Sequence, residues 1–227
     1  MINTVPNLRK SPPPRNKNLR VAGTLPDDSD IEFIGIPSTK QCIWFQYGNQ
    51  HSFATLPDNI FQLLADQFHS DYRAVLDIGE MTHDYDRQIE LYTYYVYGDA
   101  DFSPDVIDGV LQPAENFRDH LDCISLKWLT KDITLNGSPL NNRELLICDM
   151  MLENYTDKLM AHNLGIALAT FDHHKRNLYK KAEVDNKSAF IIKLFNERIW
   201  TMKTIPFSFD PKESLELVQY HNPKLWG

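Results

Sequence analysis

Lys175, Arg176, Lys180 and Lys181 crowd onto one short stretch of this 227-residue chain. Cations repeated at helical spacing suit a polyanion such as the phosphate backbone of a nucleic acid. The other residues capable of chemistry are less well placed. His162, His173 and His174 invite a metal site, but adjacent histidines point to different helix faces, so none is expected. Asp84 with Asp86, and Asp99 with Asp101 and Asp105, are acidic groups lacking the Gly and terminal Glu of an EF-hand loop. No Gly-rich phosphate cradle, G-x-S-x-G or H-E-x-x-H motif occurs. No nucleophile or base stands out, so neither catalytic residues, cofactor nor enzymatic activity is expected.

Three helices must position the cations. In 143–153 the apolar residues Leu145, Leu146, Cys148, Met150, Met151 and Leu152 predict a helix buried on a broad face, uninterrupted by Pro or Gly. Asn142 is the expected N-cap, and Asn154 tolerates the left-handed conformation that ends helices. Thr156 offers a capping hydroxyl to a short second helix, 157–163, with an acid in its first turn. Gly165 sits where a tight turn needs positive φ. A third helix, 168–181, carries the cations. Ala161 lets the second and third helices cross closely, while Ile166, Phe171 and Leu178 seal the core between them. A solvated charged helix face would show the same cations. The register of Ala161, Gly165, Ile166, Thr170 and Phe171 is a packing constraint independent of charge, and it is that of a helix-turn-helix whose later helix enters the major groove.

This stretch resembles the C-terminal domain of LuxR-type (GerE-type) bacterial transcription regulators. Leu140, Arg143, Glu144 and Ile147 match that family's first block, with Leu146 and Cys148 beside them, and Thr156, Lys158 and Ala161 match its second. Leu164, Ile166, Thr170 and His174 match the third, and Leu178, Lys181 and Val184 the fourth. Asn186-Lys187-Ser188 parallels the N-R-T that opens the family's fourth helix, expected here at 188–198. The resemblance implies double-stranded DNA as partner, with RNA polymerase as a further one, and a homodimer through 188–198. It also implies base reading by Thr170, Asp172, His173, Lys175 and Arg176, and phosphate contacts from Thr156, Lys158 and Lys180. The chain departs from the family at four places. Asp172 replaces a Lys, Ala167 a Ser that caps the recognition helix, Ala182 a Leu, and Glu183 a Gly. A carboxylate at 172 can accept from a cytosine amino group but repels phosphate.

The net charge of −8 is unusual for a nucleic-acid binder, but much of the acidity lies at 27–32 and 58–119, outside the basic segment. Three widely spaced cysteines, Cys42, Cys123 and Cys148, form no C-x-x-C pair and suggest no disulfides. With neither an apolar run of membrane length nor a signal peptide in view, a cytoplasmic location is expected. The fold class expected is α+β: a small β-hairpin-plus-helices module followed by an all-α four-helix LuxR-type domain.

Residues 1–30 read as a flexible Pro-rich basic arm. Residues 31–113 read as an α+β module of unknown role. Strands are expected at 31–36, 41–47 and 51–56, and helices at 57–68, 71–78 and 84–97. Residues 114–135 read as a connector, 136–200 as the helix-turn-helix domain, and 201–227 as a tail with a short helix at 211–220. No alternating β/α receiver pattern precedes the helix-turn-helix, which argues against phosphorelay control. The function expected is a sequence-specific DNA-binding transcriptional regulator of bacterial or phage type. The alternative is a phage or mobile-element adaptor using the same motif for protein contacts.

Overall fold

The computed structural model describes residues 20–201. The arm before residue 20 and the tail beyond 201, with its expected helix, lie outside the described residues. β-Branched and aromatic side chains carry the chain into β1 (Glu32–Ile36) and β2 (Gln41–Gln46), antiparallel with Phe33 opposite Trp44. Tyr47 and Gly48 take φ of 51° and 76°, as in a two-residue hairpin turn whose twist matches the strands it joins. β3 (Asn49–Ser52) therefore starts directly after the turn, with Asn49 opposite Gln46. This corrects the third strand expected at 51–56. The chain leaves the sheet at Ser52, whose carbonyl accepts from the Trp44 indole at 2.9 Å, and enters a 3-10 turn at Phe53–Thr55.

Three helices follow, α1 (Asp58–Ser70), α2 (Tyr72–Met81) and α3 (Tyr85–Tyr97). Asp71 lies outside α2 because it caps it, its carboxylate accepting from the amides of Arg73 and Ala74 at 3.1 Å. Asp84 caps α3 through the Arg87 amide at 2.9 Å. Every residue of α3 from Leu91 to Tyr97 is buried, packed against the sheet and α1. Gly35 permits that approach: a Cβ there would stand 2.6 Å from Tyr94 Cδ2.

Two cores result. The first gathers Phe33, Trp44, Leu64, Phe68, Ile89 and Tyr92, and the second Leu145, Ile147, Met151, Phe171, Leu178 and Phe190. Between them the chain forms β4 (Val106–Ile107) with β5 (Val110–Leu111), a 3-10 turn at Ile124–Lys127, and β6 (Thr134–Leu135) with β7 (Ser138–Pro139). Residues 114–135 contribute to both cores: Phe117, Cys123 and Trp128 to the first, Ile133 and Leu135 to the second. Trp128 stacks on Tyr92 with ring centroids 5.7 Å apart and donates to Asp77 at 2.9 Å. Asn116 donates to the carbonyls of Thr134 and Glu197 at 2.8 and 2.7 Å, and Arg118 pairs with Asp149. The segment between the cores is thus tied to the helical bundle by polar contacts, of which the Arg118–Asp149 pair is buried.

All three cysteines are buried free thiols, and burial pushes each thiol up from its ordinary range. The native protein is therefore expected to resist a thiol-reactive chromogenic disulfide at neutral pH and to release three equivalents only in denaturant. Rapid labelling of the native chain would show a cysteine at the surface.

Candidate nucleic-acid interface

The bundle starts with α4 (Asn142–Leu152), and its cap is Asn141, not Asn142 as expected. Asn141 stands three residues before Glu144, and the two close a capping box with reciprocal bonds of 3.0 Å. Leu146, expected on the buried face, is exposed instead. Asn154 takes φ 60°, and Thr156 caps α5 (Asp157–Asn163) by accepting from the Leu159 amide at 3.3 Å. Gly165 takes φ 63° in the turn, where the Ile166 amide returns to the Ala161 carbonyl at 3.0 Å.

α6 (Leu168–Ala182) begins at Ala167 without a side-chain cap and ends on Glu183 in the left-handed conformation, φ 56°. The family's glycine at that position has a physical reason here, since a left-handed C-cap disfavours any side chain. α7 (Lys187–Asn196) is capped by Asn186 through the Ala189 amide at 2.9 Å. It lies one to two residues earlier than expected and stops before Arg198, which is left-handed.

Phe171, Leu178 and Ala182 form the buried stripe that docks α6. On its opposite side Thr170, His173, Arg176, Asn177 and Lys180 are exposed, one to two turns apart. Lys158 and Thr156 are exposed on and beside α5. Among the described residues, none of Lys158, Arg176 and Lys180 forms an ion pair. The Arg176 Nε donates to its own helix, to the Asp172 carbonyl at 3.2 Å.

The remaining two members of the expected set lie on the flank of that face. Lys175 reaches Asp157 on α5 at 2.5 Å and Asp172 at 3.3 Å. The hydrogen bond to Asp157 is the main cause of a raised Lys175 pKa, so the ammonium stays charged but is largely matched inside the protein. Lys181 is likewise engaged, by Glu144 at 2.8 Å and the Pro139 carbonyl at 2.9 Å. Asn177 was missed in the sequence. It stands one turn from His173, to which it hydrogen-bonds at 3.1 Å, and its i+7 spacing from Thr170 was the available signal.

The family model of bacterial regulatory proteins of the luxR family matches residues 138–194. No curated protein and no solved structure matches the chain. Residues 138–194 are thus a LuxR-type helix-turn-helix domain, of a family of DNA-binding transcription regulators. No helix among the described residues is long and apolar enough to cross a membrane.

Proposed function

We propose that this chain is a transcription regulator of bacterial or phage type, reading duplex DNA through α6 in the major groove, and not an enzyme. One observation carries the proposal. The stripe Phe171, Leu178 and Ala182 holds α6 against the bundle and leaves Thr170, His173, Arg176, Asn177 and Lys180 together on its open side. Arg176 and Asn177 have the donors for guanine and adenine edges, and Thr170 and His173 stand beside them. Lys158, Lys180 and the Thr156 hydroxyl set the phosphate register. Asp172 and Lys175, the latter paired with both Asp172 and Asp157, act at the rim of the reading face.

In this proposal residues 136–200 bind DNA, residues 31–113 form a module that modulates them, and 114–135 joins the two. Ile192 and Phe195 are exposed on α7 and supply an apolar strip for a homodimer, with RNA polymerase a further partner. Such a regulator works in the cytoplasm, beside the genome. A second reading, a protein-docking adaptor, is favoured by the pairing of Lys175 with two acids and by the net charge of −8.

The test is fluorescence anisotropy of the full chain on random duplex DNA across a salt series. Binding is expected to weaken steeply with salt, and Arg176→Ala to flatten the log–log slope by about 1. Binding that is absent at low salt, or indifferent to salt, supports the adaptor.

A further inference from the structure

A group of carboxylates lies away from α6, where the first core meets the end of the bundle. Glu32 on β1 is fully buried, Asp99, Asp101 and Asp105 follow α3, and Glu115 packs behind them. Oxygens of Glu32, Asp101 and Glu115 stand within 4.8 Å of one another. Glu32 Oε2 and Glu115 Oε1 are both buried, and among the described residues no hydrogen-bond donor reaches either. Each side chain is held in place by its other oxygen: Glu32 Oε1 accepts from the Asp101 amide at 3.2 Å, Glu115 Oε2 from the Asp99 amide at 2.8 Å. Each of the two carboxylates thus keeps one buried acceptor that no donor among the described residues satisfies, a costly arrangement in a protein interior.

Two cations among the described residues stand close to the group, and they donate to groups other than Glu32 and Glu115. Arg198 grips Asp99 with two bonds of 2.7 and 2.6 Å. Lys131 donates to the carbonyls of Tyr95 and Phe117. Asp105 accepts from the Phe33 amide at 2.7 Å.

We propose that Glu32, Asp101 and Glu115 bind a hard divalent cation of calcium's class. The ligand set is oxygen only, which suits calcium or magnesium and disfavours softer metals. Oxygens within 4.8 Å of one another can share one ion at calcium's distance of about 2.3–2.6 Å, and calcium's flexible coordination asks less of a strand, a loop and a later segment than magnesium's octahedron. The ligands come from a strand, a loop and a later segment, so no EF-hand-like run marks them in the sequence. The loop that supplies Asp101 also supplies Asp99 and the Ala100 carbonyl to Arg198, the latter at 2.7 Å. An ion here braces the contact between the N-terminal module and the end of the LuxR-type bundle.

Calorimetric titration of the EDTA-stripped full chain with CaCl2, and separately with MgCl2, tests the site. One calcium per chain is expected, with a higher melting temperature and weaker magnesium binding. Glu32→Gln and Glu115→Gln are expected to keep the native circular dichroism. Each should weaken binding by at least about tenfold, since even lost outer partners of a metal cost roughly 10–100-fold. Asp101→Asn, in the half-exposed loop, gives the same readout if a buried variant fails to fold. Absence of saturable calcium binding at millimolar concentration overturns the proposal, as does binding unchanged in every folded variant.

Discussion

Replacing Arg118 by Ala is expected to lower the unfolding free energy by about 3–5 kcal/mol, as for a buried charge stripped of its partner. The Arg118 side chain is 0 % exposed and that of Asp149 6 %, and two hydrogen bonds of 3.0 and 2.7 Å join them. Arg118 lies in the segment between the cores, and Asp149 lies on α4, so the pair ties the helical bundle to the rest of the chain. Without Arg118, the Asp149 carboxylate must face apolar surroundings, move into water or take a proton, and each option disturbs the packing of α4. Desolvating both ions offsets much of their attraction, so the pair joins the two halves more than it stabilises them. Arg118→Met with Asp149→Leu is therefore expected to be much more stable than either Ala variant. Urea unfolding followed by circular dichroism measures all four proteins. A loss under about 1 kcal/mol in Arg118→Ala would mean that water reaches the pair in solution.

Asp172→Lys is expected to tighten DNA binding roughly tenfold, about 1.4 kcal/mol, and to steepen its salt dependence. The substitution removes an anion at the rim of the reading face and restores the cation that resembles the family's pattern. It also removes one of the two acids matching Lys175, though Asp157 remains at 2.5 Å. Asp172→Asn should fall between the two, because it removes repulsion without adding a phosphate partner. Anisotropy titrations of the three proteins on one duplex, at two salt concentrations, give the comparison. Equal affinity and equal salt slope would remove Asp172 from the vicinity of the phosphates and count against α6 as the groove-facing helix. A weaker Asp172→Lys on one particular operator, but not on random DNA, would instead mark Asp172 as a reader of cytosine.

The helix-turn-helix was legible because its determinants are local. A cap acts on an amide three residues on, a glycine relaxes its own φ, and an apolar stripe repeats along one helix. Thr156, Asn154, Gly165 and the stripe of Phe171 and Leu178 therefore stand in the roles that residue type alone assigned them. The single shift at the start of α4 had a readable cause, the reciprocal pair Asn141 and Glu144. Leu146 was misplaced because an apolar residue beside a buried face is not thereby on it; one step along a helix turns it away from the core. The third strand failed for a tertiary reason, since the Trp44 indole takes the Ser52 carbonyl where the chain leaves the sheet.

By itself, then, the sequence determined the three-helix register of the bundle and which cations belong to α6. Tertiary structure alone decided which of those charges are matched by acids among the described residues. Lys175 looked like a reading residue, yet Asp157 on another helix matches it, whereas Arg176, its neighbour, turns to the open side. The Arg118–Asp149 pair and the Glu32, Asp101 and Glu115 group were invisible for the same reason. Electrostatic partnership depends on distance through space and on exclusion of water, and neither is written in residue order when the partners lie on separate elements.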